Sequence, residues 1–312
     1  MPYPFPDGPR PMTTQTDDPL PDLLRTLRGP APTDRVRAAR DLGRLGWLAR
    51  DAIPALVRAA DDDDGKVREA AAQAVGQMGP DALSPLKAML RHDDKYVRRQ
   101  AVWALGKLGP LAKPALAAVC EALRDADPRT ASGAAQALGN LGADGADAVP
   151  ALAEAMRGTN IVLCRLAAKA LSAIGYPALQ TLITHLQHSD PFVRGESALA
   201  LGWMGSAARP AVPYLAKLVR GPGGRSMSDT PPPSGSLGGL GGYGSAVITP
   251  TAPAAGGEAS ADETCRVYAA QALGKMGASA AAALPELTAA SRHGPDPLRD
   301  AARQAARLVQ GA

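Results

Sequence analysis

Large aromatic side chains are scarce in this chain. Two Phe, three Trp and six Tyr among 312 residues exclude an interior built around packed rings, and leave small and aliphatic groups on close-packed helices to fill it. Cysteine is scarcer still. Cys120, Cys164 and Cys265 stand far apart, odd in number and free of any CxxC or Cys/His spacing, so neither a disulfide framework nor a zinc site is expected and a reducing cytoplasm is the expected compartment. An excess of one charge is also missing: 34 Lys and Arg against 30 Asp and Glu leave a net +4, too little to mark a nucleic-acid binder from the total alone. No uncharged apolar run reaches the roughly eighteen residues that span a bilayer, and the opening MPYPFPDGPRPMTTQTDDP has neither the basic nor the apolar section of a signal peptide.

Catalytic signatures are absent in the same way. The chain has no GxSxG, no Walker A and no GxGxxG in a strand context, so no catalytic residue is assigned and no enzyme is expected. Its four histidines, His92, His185, His188 and His293, include no His-Glu pair, and His185 and His188 lack a third ligand at useful spacing; no metal and no cofactor are expected. The acidic run Asp61 to Asp64 lacks the bidentate glutamate of a calcium loop and reads as a capped, solvated turn. Cys164 and Cys265 adjoin Arg165 and Arg266, which would favour a thiolate; core filling is the competing reading of both.

What is present is repetition. The segments RVRAARDLGRLG (35 to 46), REAAAQAVGQMG (68 to 79), RRQAVWALGKLG (98 to 109), ASGAAQALGNLG (131 to 142), CRLAAKALSAIG (164 to 175), RGESALALGWMG (194 to 205) and RVYAAQALGKMG (266 to 277) align, and RDAARQAARLVQ (299 to 310) closes the series. Their anchors fall at 43, 76, 106, 139, 172, 202 and 274, in steps of 33, 30, 33, 33, 30 and 72. Between them recur proline-led pieces such as AIPALVRAA (52 to 60), AVPALAEAM (148 to 156) and AVPYLAKLV (211 to 219). Proline in a first turn needs no amide partner, so each piece starts a helix A, and the glycine three residues past each anchor suits the left-handed end of a helix B. About eight helical hairpins follow: sixteen helices, no sheet, an all-α superhelix.

These landmarks, Val-Arg, Ala-Ala, Leu-Gly and Pro-Ala-Leu, resemble the PBS lyase (phycobilin lyase-like) class of HEAT repeats over roughly residues 19 to 219 and 263 to 310. The resemblance implies a HEAT-repeat solenoid, and says little about activity, because the landmarks are core and turn positions. Proteins of that class include phycobilin lyase subunits, an iron-dependent hydroxylase and many interaction scaffolds. The hydroxylase members hold iron with His-Glu pairs, which this chain lacks.

Domain organisation follows from the steps. Residues 1–18 read as a disordered Pro-rich start, 19–220 as repeats one to the first half of seven, 221–262 as a disordered insertion, and 263–312 as the rest of one continuous solenoid. The insertion holds eleven Gly and six Pro in 42 residues, above the combined share of about 25 to 30% that marks low-complexity sequence. Its apolar residues Leu237, Leu240, Tyr243, Val247 and Ile248 leave a lid or a passive insertion both open.

At about 100° per residue, offsets −5, −4, −2, −1 and +2 from the anchor fill one arc of helix B with Ala, Leu and Met, the buried face. The arginine column at offset −8, Arg35, Arg68, Arg98, Arg194, Arg266 and Arg299, projects into that arc and reads as a structural ladder to turn carbonyls and to carboxylates such as Asp62, Asp64, Asp94, Asp190 and Asp262. Ala131 and Cys164 interrupt it. Offsets −7, −3 and +1 form the opposite stripe, with seven basic residues and one acidic over seven units. Within it, Arg99, Trp103, Lys107, Gln136, Asn140, Arg165, Lys169 and Trp203 are the candidate binding residues on the concave surface. A solvated face with two tryptophans covered by Arg and Lys stems is the bland reading. The sharper one is a binding surface for an acidic protein partner, with the chain as a non-enzymatic scaffold. A lyase-like chromophore role and nucleic-acid binding stand as alternatives; no membrane contact is expected.

Overall fold

The computed structural model describes residues 19–221 and 261–311. The proline-rich start and residues 222–260 of the insertion, with its apolar residues, lie outside them. Among the described residues sixteen α-helices form eight A–B pairs, and there is no strand. The chain divides by compactness into two units, up to Leu108 and from Gly109 onward. The first holds α1 (Leu20–Leu27), α2 (Pro32–Leu45), α3 (Ile53–Ala59), α4 (Gly65–Gln77), α5 (Leu83–Met89) and α6 (Lys95–Leu108). The second holds α7 (Leu116–Ala122), α8 (Pro128–Asn140), α9 (Val149–Ala155), α10 (Ile161–Ile174), α11 (Tyr176–His185), α12 (Pro191–Met204), α13 (Val212–Arg220), α14 (Ala261–Met276), α15 (Leu284–His293) and α16 (Asp296–Gln310). Odd-numbered helices are the short A elements and even-numbered ones the longer B elements. Helix α14 starts at Ala261, so the last two residues of the stretch read as insertion are helical.

The A elements differ from the sequence expectation in one respect. Between the glycine ending most B helices and the A helix proper lies a 3₁₀ segment, such as Gly46–Ala52, Gly142–Ala148, Gly205–Ala211 and Gly277–Ala283. Gly46 and Gly205 enter these segments at φ 57° and 59°, a region that costs an L side chain strain. The tighter winding reverses the chain within a few residues, and the proline expected to open helix A stands at its first or second position in α3, α9, α11, α13 and α15.

Each unit is cored by Ala and Leu. Leu42, Leu56 and Leu86 are fully buried in the first unit, and Leu138, Leu152, Leu171, Leu182 and Leu201 in the second. The anchor glycines set how closely successive B helices approach. A methyl group on Gly76 would lie 2.6 Å from the Ala104 Cβ, and one on Gly202 would lie 2.8 Å from the Ala272 Cα. Contact between carbon atoms is comfortable at about 3.5 to 4.0 Å, so hydrogen at the anchor is what lets one helix backbone rest on the next helix's alanine.

The turns between A and B helices are held by the arginine column. In the first unit, Arg35 grips both oxygens of Asp62 at 2.8 Å and donates through Nη1 to the carbonyls of Gly29 and Pro30. Arg68 repeats this with Asp94 (Nε to Oδ2, 2.6 Å) and the carbonyls of Asp62 and Asp63. Arg98 donates to the carbonyls of His92 and Asp93, both at 2.8 Å. In the second unit, Arg194 donates to the carbonyls of His188 and Ser189 and pairs with Asp262. Arg266 reaches the carbonyls of Val219 and Arg220, so the turn interrupted by the long insertion keeps the same arginine-to-carbonyl contacts. Each guanidinium thus serves groups that the helix ends leave unpaired. Arg299, near the chain end, instead pairs with Asp296 one turn back on its own helix. Where the column is interrupted, Cys164 donates its thiol to the carbonyl of Gly158 at 3.1 Å, and Thr130, beside Ala131, bonds Asp127. Asp64 and Asp190, two of the carboxylates in reach of the column by sequence, cap α4 and α12 instead.

Candidate functional site

The stripe residues are carried by the B helices, and the two units present them separately. In the first unit Arg99, Trp103 and Lys107 occupy successive turns of α6. Trp103 is 44% exposed, although a buried indole would contribute far more to folding. The Lys107 Nζ stands 4.1 Å from the centre of its ring, and Arg99 leans on the ring of Tyr96, 5.1 Å away. A cation held on an exposed aromatic face keeps its charge available while shielding part of the ring. Arg40 on α2 is exposed on the same type of position, and among the described residues neither Arg40 nor Lys107 meets a carboxylate.

In the second unit Gln136 and Asn140 are exposed on α8, and Arg165 and Lys169 on α10. Trp203 on α12 is half-buried, with the Lys275 Nζ from α14 at 5.6 Å from its ring. Burial pushes the Lys275 ammonium below its ordinary value. The helical wheel erred on α12. Gly195 and Leu199, assigned to the exposed stripe, are buried, because Gly195 leaves room for the Tyr268 ring of α14, whose Cδ2 lies 3.0 Å from where a Cβ would stand.

Sequence reasoning also missed two residues. Glu196 of α12 lies next to the stripe and is 2% exposed; its Oε1 accepts from the Arg165 Nε at 3.0 Å. Phe192 carries the same guanidinium, with its ring centre 5.9 Å from the Arg165 Cζ. Burial raises the Glu196 carboxyl above the usual range, against the opposing pull of Arg165. The available signal was a lone acidic residue among small ones in RGESALALGWMG, which a three-position stripe does not sample.

Other reactive groups have structural surroundings. Burial raises the thiols of Cys120, Cys164 and Cys265, and Cys265 donates to the carbonyl of Asp262, so the neighbouring arginines do not produce thiolates. Burial lowers the imidazole of His185, and Arg157 and His188 act in the same direction. In the acidic run, Asp62 takes Arg35, Asp64 caps α4, and Asp61 faces the His92 Nε2 at 2.9 Å. Among the described residues no three His, Cys, Asp or Glu side chains gather as metal ligands, and no helix is long and apolar enough to cross a membrane.

No curated protein sequence matches the chain. Among solved structures, YibA of E. coli is similar at 16% identity and a TM-score of 0.49, over 94% of this chain and 92% of that one. The complex of CpcE and CpcF of phycocyanin lyase from Nostoc sp. PCC 7120 is similar at 20% identity and a TM-score of 0.41, over 92% and 97%. A designed armadillo repeat protein matches at 18% identity and a TM-score of 0.40, over 61% and 99%. Nothing about activity passes to this chain at such distances. Family models are more specific: that for HEAT repeats matches residues 20–106, 83–172 and 149–225, and that for the PBS lyase HEAT-like repeat matches 266–293, covering most of α14 and α15. Stacked helical hairpins and matched repeats agree, and the chain belongs to the HEAT-repeat family, with a PBS lyase-like repeat after its insertion.

Proposed function

We propose that this protein is a non-enzymatic scaffold whose helix-B surface takes an acidic protein partner. Trp103 carries the reading. A tryptophan nearly half exposed, with a lysine resting on its ring and an arginine one turn away, has the composition of a contact anchor rather than of a solvated helix face. In the first unit the uncompensated cations Arg40 and Lys107 give the helix-B face its sign, and in the second the exposed Lys169 does the same on its own helix-B face, with Gln136 adding a polar group that does not repel an anion. Catalysis has no comparable support: the buried thiols are raised, and the hydroxyl–carboxylate pair Thr130–Asp127 is buried at the N-cap of α8, where it serves the helix end.

Photo-crosslinking tests this directly. A benzophenone amino acid replaces Trp103 in one variant and Lys217, exposed on α13, in another. Crosslinks from position 103 to proteins with acidic segments, and few from 217, are expected. Crosslinks from 217 alone would place the contact on the A helices. Recovery of a tetrapyrrole or nucleic acid at 103 in place of protein would replace the scaffold reading.

A further inference from the structure

The Glu196–Arg165 pair is poorly suited to stabilising the fold. At the equivalent place in other B helices stand Arg37, Ala70, Gln100, Gly133, Leu166 and Tyr268, none of them acidic. Placing a carboxylate in the interior is costly unless its partner is also well bound. Here the carboxylate side chain is 3% exposed while that of its arginine is 58% exposed. Burial outweighs the arginine in setting the Glu196 proton affinity, so ionisation of this carboxyl opposes folding rather than assisting it.

The pair does fix a guanidinium. Arg165 is tied at Nε by Glu196 and stacked on Phe192, a bond that does not use its two terminal nitrogens, the pair that forms a fork for carboxylates, while the side chain as a whole stays 58% exposed. One turn before it on α10, Ile161 and Val162 are 56% and 60% exposed. One turn after it comes Lys169, whose charge Glu196 does not cancel. Apolar ground, an oriented guanidinium and a free ammonium thus follow one another along a single helix face.

We propose that this face of α10 is a carboxylate-recognition site for an acidic peptide segment. A side-chain carboxylate of the segment pairs with Arg165, and an adjacent aliphatic or aromatic side chain covers Ile161 and Val162. Glu196 and Phe192 act as positioning residues. The assignment rests on the helix-B surface being the partner face, and goes beyond it by naming the motif: an apolar residue beside Asp or Glu. Charge complementarity selects the occupant, since a basic segment would meet Arg165 and Lys169.

Fluorescence anisotropy on the full chain tests it with two labelled synthetic peptides of equal charge, one alternating Glu with Leu and the other Glu with Gly. Leu can cover Ile161 and Val162 where Gly cannot, so the Leu-containing peptide is expected to bind about tenfold tighter. Arg165→Ala and Arg165→Lys should each weaken it by about tenfold, lysine failing because it lacks the fork. Glu196→Leu should lose binding while holding or raising Tm, an outcome that a structural pair would not give. Equal binding of the two peptides overturns the apolar half of the site. Lowered Tm with unchanged binding in Glu196→Leu overturns the whole inference. If Trp103→Ala and Lys107→Glu abolish peptide binding and Arg165→Ala does not, the helix-B reading survives and this one fails. Binding of neither peptide to the wild type overturns both.

Discussion

Replacing Gly202 by Ala tests how the B helices are spaced, because two ordinary effects oppose each other there. Alanine is the better helix former by about 0.8 to 1.0 kcal/mol, so local propensity alone predicts a gain in stability. The packing of α12 on α14 predicts a loss. The added methyl would lie 2.8 Å from the Ala272 Cα and 3.0 Å from its Cβ, which requires the helices to part by about 1 Å to restore carbon contacts of about 3.5 to 4.0 Å. Overpacking of this kind costs about 1 to 3 kcal/mol. The net expectation is a loss of about 1 kcal/mol, read as a fall in Tm of about 2 to 4 °C for a body of this size. Ser172 provides the control. It stands at the corresponding anchor of α10 and already carries a Cβ, so Ser172→Ala adds no atom to the contact; it deletes only a bond to the Lys169 carbonyl within the same helix, and the better helix propensity of alanine offsets that loss, leaving stability nearly unchanged. Calorimetry and urea unfolding on both variants decide the matter. A Gly202→Ala protein more stable than wild type would refute the close-contact argument.

Three further outcomes are expected. Arg98→Ala should lower stability by about 2 kcal/mol in denaturant titrations, since the carbonyls of His92 and Asp93 lose their charged donor. Burial opposes ionisation of Asp62, yet Arg35 and the Asp64 amide hold its carboxyl below the usual carboxylate range; its contribution is therefore present above about pH 4 and lost as pH falls through the lower folded value. Asp62→Asn should reduce stability at neutral pH and flatten the acid limb of a Tm-against-pH curve, and an unchanged acid limb would count against the pair. Deleting 223–258 should leave helical circular dichroism and cooperative unfolding intact, because Arg266 still holds Val219 and Arg220 across the gap; loss of cooperativity would show that the segment is structural.

Much of this fold was legible in the sequence because its constraints recur. A glycine required by a close helix contact or a positive φ, and an arginine required by the same turn carbonyls, stand at nearly constant intervals and so mark out the hairpins along the chain. The 3₁₀ segments were not legible: stretches such as GWLARDA and GADGADA carry no marker separating a tight turn from the first turn of a helix. The site was harder still. A wheel drawn for one helix cannot foresee what a neighbour places over it, so Tyr268 closing over Gly195, and the burial of Leu199, escaped it. Glu196 and Phe192 escaped for a related reason, since their role comes from Arg165, 31 residues from Glu196 along the chain and on another helix.

The scaffold reading requires that binding be carried by the helix-B surface and that it have an electrostatic part. Surface plasmon resonance against the partner recovered by crosslinking measures both. Trp103→Ala should weaken binding by on the order of 1 to 3 kcal/mol, mainly through faster dissociation, with unchanged Tm. Lys107→Glu should slow association most at low ionic strength, where screening is weakest. The comparison is with Arg58→Glu, Lys87→Glu and Lys217→Glu, exposed on α3, α5 and α13, which should bind as the wild type does. Wild-type binding by the helix-B variants, together with loss of binding by the A-helix variants, would contradict the account.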